Sequence, residues 1–190
     1  MWDLKDKTVV ITGATNGIGK AAALELAKHG PKLLLTFRNQ ELADNLLAEI
    51  KTAAPDVSVE LIYCDFSMQS SIRECSKEIV ASQDKIDVLI NNAGVVNTSY
   101  HETSEGIENT FAVNHLGYFL FTSLLLNKMK GPEEIRIINV SSAAHSFVKD
   151  MNWENINFKD DFGRGMKVYS QSKLANVLFT RYLAIKLSTD

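Results

Sequence analysis

Cysteine is nearly absent: Cys64 and Cys75 are the only two in 190 residues. Two cannot build a disulfide framework, and their spacing matches no metal motif, which suits a reducing compartment. A surplus of basic charge is missing too. Lys and Arg number 20 against 23 Asp and Glu, a net charge of −3. Nothing in that balance points to nucleic acid or to an anionic membrane surface. No apolar run can span a bilayer: the longest, 116–126, is interrupted by Gly117, Thr122 and Ser123. The start, Met-Trp-Asp-Leu-Lys-Asp-Lys, is charged and runs at once into a strand-like segment, unlike a signal peptide. A cytoplasmic protein without a transmembrane segment is expected. His29, His101, His115 and His145 show no metal-ligand spacing, so no metal is expected. Repeats, low-complexity tracts and linkers are also missing. What remains, with 45% apolar and 23% charged residues, suits one soluble domain with a sizeable core, 1–190.

The chain alternates between two periods. Short apolar runs at 8–12 (TVVIT), 32–37, 57–63 (VSVELIY), 86–90 (IDVLI) and 135–140 (IRIINV) read as five strands. Helical patterns fill the gaps, at 20–29, 39–53, 67–82 with Ser67 as N-cap, and about 104–130 with a break near Gly117. Gly131-Pro132 ends that region, and 164–187 closes the chain as a long helix. Repeated strand–helix units with short connections imply parallel pairing and a sheet covered on both faces. Right-handed crossovers then favour an α/β, doubly wound, Rossmann-type fold in three layers, with strand order 3-2-1-4-5. The irregular stretch 143–165 is long enough to be a lid or binding element.

Residues 13–19 (GATNGIG) follow a strand and open a helix. Glycines there let the backbone approach a pyrophosphate, whose charge the free amides and helix dipole favour. The second strand ends in Thr36-Phe37-Arg38-Asn39, with no acidic residue to accept a ribose 2′-hydroxyl. Arg38 instead offers a forked cation for a 2′-phosphate, so NADP(H) is expected over NAD(H).

Further groups join these. Asn91-Asn92-Ala93-Gly94 follows the fourth strand, Ser141-Ser142 ends the fifth, Asn114 lies between, and Tyr169 and Lys173 stand in Tyr-x-x-x-Lys, on one helical face. Together they resemble the short-chain dehydrogenase/reductase family, from Lys7 to the end of the chain. The stretches RIINVSSAAH and YSQSKLANVLFTR and the long segment before Tyr169 resemble its retinol dehydrogenase and WW-domain oxidoreductase branch. The resemblance implies that Thr12, Gly13, Thr15, Asn16, Gly17, Ile18 and Gly19 line the cofactor cradle. Arg38 would select the 2′-phosphate, Asn39 would be a further cofactor-binding residue, Asp65 would sit by the adenine, and Asn91, Ala93 and Gly94 would hold the cofactor's middle. Asn114, Ser142, Tyr169 and Lys173 would form a catalytic tetrad, Tyr169 and Lys173 also touching cofactor.

The chemistry suits those residue types. Carbonyl reduction needs a hydride, which the cofactor carries, and a proton, which the protein supplies. A phenol is a poor proton donor at neutral pH, its ordinary pKa being about 10. A nearby ammonium favours the phenolate, and Lys173 is one helical turn from Tyr169. Ser142 would hydrogen-bond the substrate oxygen; Ser141 would then cap or pack. Asn114 would hold a relay water by the family pattern, or serve as a buried polar residue. Asp65 has a turn role as its alternative. Trp153, Ile156 and Phe158 would either cover a lipophilic substrate or anchor their loop.

The expected function is hydride transfer between NADP(H) and a lipophilic carbonyl or alcohol. The family pattern continues beyond Asp190 with further strands and a substrate-binding region. The chain is therefore expected to be C-terminally short, with its fifth strand an exposed apolar edge. That leaves an alternative, a non-catalytic module that binds cofactor or a partner chain. The resemblance also implies a homodimer through the helices flanking the fifth strand.

Overall fold

The computed structural model describes residues 3–130 and 134–187. Met1, Trp2, the Gly131-Pro132 break and residues 188–190 lie outside them. The apolar runs form β1 (Thr8–Ile11), β2 (Lys32–Phe37), β3 (Ser58–Tyr63), β4 (Val88–Asn91) and β5 (Arg136–Asn139). They make one parallel sheet in the order β3-β2-β1-β4-β5, the expected doubly wound arrangement. Val9 pairs with Leu33 on one side and Val88 on the other, so β1 is central. Consecutive residues Val9, Val10 and Ile11, and Leu33, Leu34 and Leu35, are all fully buried. Both faces of these strands are therefore covered, which is why their sequence shows no polar alternation.

The described residues cluster into two compact units. The first takes in 3–65, 70–93, 121–130 and 134–138. In it, Val9, Ile11, Leu33 and Leu35 pack with Ala23 and Ala27 of α1 (Gly17–Ala27) and Leu46 and Ile50 of α2 (Gln40–Ala53). Helix α1 starts three residues before its apolar pattern does, because Asn16 caps it by accepting from the Gly17 amide at 3.0 Å.

The second unit takes in 66–69, 94–120 and 139–187. Helix α3 (Gln69–Ser82) begins at its boundary, two residues after Ser67, and the Gln69 amide donates to Glu105 Oε1 at 3.1 Å. The helix expected from 104 begins only at Asn109. Residues before it form a turn closed by the Glu102–Glu108 bridge. The buried Glu108 carboxylate then accepts from the Thr110 and Phe111 amides at 2.9 and 2.7 Å, capping the short α4 (Asn109–Phe111). The winding widens into a π-turn, Ala112–Leu116, and returns to α5 (Gly117–Leu125). The expected break near Gly117 is thus a change of winding. A Cβ at Gly117 would lie 2.7 Å from the Phe66 ring, so a side chain there would collide.

The stretch 143–165 has structure of its own. It opens with a 3-10 turn, Ala143–Phe147, and ends in another, Gly163–Gly165, that leads into α6 (Met166–Leu187). Phe158 is buried with Phe111, Met151, Val168 and Ala175, and Ile156 packs against that cluster. Of the three expected lid residues, two therefore anchor the loop, and Trp153 alone is exposed, at 72%. Among the described residues no helix is long and apolar enough to cross a membrane.

Candidate functional site

In the first unit, the carboxyl ends of the parallel strands carry the glycine turn, Arg38, Asp65 and the Asn91–Ala93 segment along one edge of the sheet. Ligands of open α/β sheets bind at that edge. A few buried bonds shape the turn. The Thr12 hydroxyl, fully buried, accepts from the amides of Asn92 at 2.8 Å and Ala93 at 3.0 Å. The Asn92 side-chain amide donates to the carbonyls of Thr12 at 2.9 Å and Gly13 at 3.1 Å. Thr36 holds the other flank: its hydroxyl accepts from Gly13 N and its carbonyl from Ala14 N, both at 3.2 Å.

Gly13 has φ +62°, and a Cβ there would lie 2.8 Å from Ala93 Cα, so no other residue fits. At Gly17 an added Cβ would meet nothing within 4 Å. The turn is packed on its inner side and open on its outer side, above the first amides of α1. Thr15 and Ile18 lie on this turn, and Ile18 is exposed. A Cβ at Gly19 would run into the Asn92 amide and the Gly13 carbonyl. These residues fit a dinucleotide: a backbone cradle, amides and a helix N-terminus for the pyrophosphate, and the exposed Arg38 two residues beyond Thr36.

Other expected residues have protein partners. Asn39 caps α2, accepting from Leu42 N at 3.0 Å. Asn91 is fully buried and donates to Thr122 Oγ1 at 2.9 Å. The Asp65 amide donates to Ser71 Oγ at 2.9 Å. Sequence reasoning missed Thr36 and Asn92. Asn92 stands within a motif already singled out, but only the fold shows that it reaches back to the glycine turn.

In the second unit, α6 carries Tyr169 and Lys173 one turn apart. Lys173 is 4% exposed, and its Nζ donates to the Val140 carbonyl at 3.1 Å. Nζ lies 5.5 Å from the centroid of the Tyr169 ring. Burial pulls the ammonium down to about 8. The Ser141 hydroxyl donates to the Lys173 carbonyl at 2.8 Å, tying the strand-end segment to α6. Ser142 Oγ accepts from the Ala144 amide at 3.2 Å, which leaves its proton free to donate.

Asn114 sits in the π-turn, fully buried. Its Oδ1 accepts from Val95 N at 2.8 Å, and its Nδ2 donates to the Val95 carbonyl at 2.9 Å and Ser172 Oγ at 3.2 Å. Those bonds use both amide protons, so the side chain fastens the backbone at Val95. Any relay through Asn114 is then left to its main-chain carbonyl, which accepts from Asn176 Nδ2 at 2.9 Å. Gly94, the last residue of the expected cofactor-contact motif, belongs to this unit.

Tyr118, also missed, is fully buried beside the pair, with Lys173 Nζ 6.0 Å from its ring centroid. Burial, and then the Tyr169 charge, push its phenol well above the ordinary value. Among the described residues its buried hydroxyl has no protein hydrogen-bond partner.

A family model described as short chain dehydrogenase matches residues 7–154. The chain belongs to this family, an oxidoreductase family with the Rossmann-type fold just described. The matched span takes in the cradle, Asn114 and Ser142; Tyr169 and Lys173 follow it. Retinol dehydrogenase 13 of Homo sapiens is 40% identical over 185 residues, covering 95% of this chain and 54% of that protein. The chain thus spans about half the length of that curated relative. A crystal structure of a protein from Mycobacterium paratuberculosis matches with TM-score 0.84 at 36% identity, covering 98% of this chain and 65% of that one. A metagenomic short-chain oxidoreductase solved in complex with NADP matches with TM-score 0.79 at 27% identity, covering 99% of this chain and 79% of that one.

Proposed function

We propose that the chain binds NADP(H) in the glycine cradle and reduces a lipophilic carbonyl, or oxidises the matching alcohol, through Tyr169. The observation that carries this reading is the buried Lys173 ammonium held 5.5 Å from the Tyr169 ring, in a family whose cofactor-bearing fold the chain shares. When bound, the reduced nicotinamide supplies the hydride. The Tyr169 phenol gives its proton to the substrate oxygen, and Lys173 stabilises the phenolate left behind. The Ser142 hydroxyl donates a hydrogen bond to the same oxygen. Asn114 keeps the π-turn in place beside α6. Arg38 favours a 2′-phosphate, and the NADP-bound neighbour supports that preference. The retinol dehydrogenase relative supports a retinoid-like or other lipophilic aldehyde or alcohol as substrate.

A second copy of the chain is the proposed partner. Leu178, Tyr182 and Ile185 form an exposed apolar stripe on α6, and Phe119 of α5, also exposed, packs its ring 5.4 Å from Phe179 of α6.

The test is calorimetric titration of the 190-residue chain with NADPH, followed by NADPH oxidation against a panel of lipophilic aldehydes. Saturable binding is expected, with turnover that falls at least about 100-fold in Tyr169→Phe while NADPH binding changes less than about threefold. Undiminished turnover in that variant would overturn the role of Tyr169. A folded chain that binds no NADPH would overturn the cofactor site.

A further inference from the structure

Asn176 has no place in the tetrad, yet its side chain makes as many hydrogen bonds as that of Asn114. It lies three residues after Lys173 on α6, fully buried. Its Nδ2 donates to the Asn114 carbonyl at 2.9 Å and to the Val140 carbonyl at 3.4 Å. Its Oδ1 meets His115 Nδ1 at 3.0 Å. The orientation is forced. Two carbonyls can only face the amide's NH2, so Oδ1 accepts and His115 Nδ1 carries the proton. The His115 ring stands 5.3 Å from that of Phe111 and 6.1 Å from that of Phe179. Burial lowers its pKa, which keeps it neutral.

Every hydrogen-bonding group of Asn176 is therefore spent on a segment that holds a proposed catalytic residue. The Asn114 carbonyl is the one any relay would use. The Val140 carbonyl is the one that receives Lys173 Nζ. We propose that Asn176, oriented by His115, is the positioning residue of the site: it fixes the Val140 carbonyl against Lys173 and the Asn114 carbonyl at the π-turn. This rests on the reading of Tyr169 and Lys173 as the reacting pair.

Removing the amide has a definite consequence. It opens a space lined by two carbonyls and an N–H, enough partners to hold a water. Lys173 gains solvation, which favours the ammonium, while the Val140 carbonyl loses the bond that held it against Nζ. The other titratable groups facing Lys173 are Tyr169 on its own helix and Tyr118 on α5. Neither is touched by the substitution.

The experiment compares wild type, Asn176→Ala and His115→Phe, the last keeping an aromatic ring against Phe111 and Phe179. Carbon-13 NMR of the ε-labelled lysines, with Lys173 assigned by its loss in Lys173→Arg, gives the titration without any substrate. Lys173 is expected near 8 in wild type and displaced toward about 10.4 in Asn176→Ala. Steady-state kinetics should show kcat lowered about 10- to 100-fold with KM changed less than threefold. His115→Phe should shift both in the same direction by less. A folded Asn176→Ala with unmoved Lys173 and kcat within twofold would overturn the proposal. If that variant fails to fold, an unmoved Lys173 and kcat in His115→Phe overturn it. A wild type without turnover would count against the proposed activity, and the Lys173 titration would still decide the role of Asn176.

Discussion

Replacing Thr12 by Val tests the cradle without needing any activity. Val has nearly the shape of Thr but lacks the hydroxyl that accepts from Asn92 N and Ala93 N. Two amides lose their partner at once. An unsatisfied buried donor costs about 1–3 kcal/mol. Asn92 and Ala93 are half-buried, so water reaches part of the gap and the lower half of that range applies. The expected loss is about 2–4 kcal/mol. With an m-value of about 2 kcal/mol/M in urea, the unfolding midpoint should fall by about 1–2 M at unchanged m. Thr12→Ser keeps the acceptor and loses a buried methyl, so it should cost only about 1 kcal/mol. Urea titrations followed by far-UV circular dichroism measure all three. A Val variant within about 0.3 M of wild type, or a Ser variant as damaged as Val, would refute the assignment of those two bonds to Thr12.

Arg38→Asp should weaken NADPH at least about tenfold more than NADH in calorimetry, since a cation is exchanged for a charge that repels the 2′-phosphate; equal losses would show that Arg38 does not read that group. The rate of carbonyl reduction should fall as pH rises past about 8, because Lys173 carries its charge below that value and loses it above. A profile flat to pH 10 would refute the link between Lys173 and Tyr169. Tyr182→Glu should shift sedimentation of the chain toward monomer, since it puts charge into the exposed stripe on α6; an unchanged dimer fraction would place the interface elsewhere.

The distribution of polar work between neighbouring residues carries a lesson about the site. Asn91 and Asn92 are adjacent and chemically identical, yet one turns to Thr122 and the other to the glycine turn. A strand alternates its side chains between faces, so neighbours at its end serve different partners. Ser141 and Ser142 divide in the same way, one bonded to the Lys173 carbonyl and the other capping a 3-10 turn. In both pairs the type of residue is legible in the chain, but the direction each one faces depends on the strand end.

The sequence alone determined the five strands, their parallel order and the glycine turn, because these depend on local periods and on short connections that admit few topologies. It also determined that Tyr169 and Lys173 share a helical face, since a four-residue spacing fixes that. Only the tertiary structure decided the rest. The helix expected from 104 starts at Asn109 because buried Glu108 caps it there. The winding widens into a π-turn at Asn114, just before Gly117, where any side chain would strike Phe66. Phe158 and Ile156 anchor their loop while Trp153 does not. Asn176 and Thr36 become parts of their sites through bonds to residues far away in the chain. Periodicity records which residues want burial; which buried polar group finds which partner is settled by packing, where each donor left without an acceptor is costly.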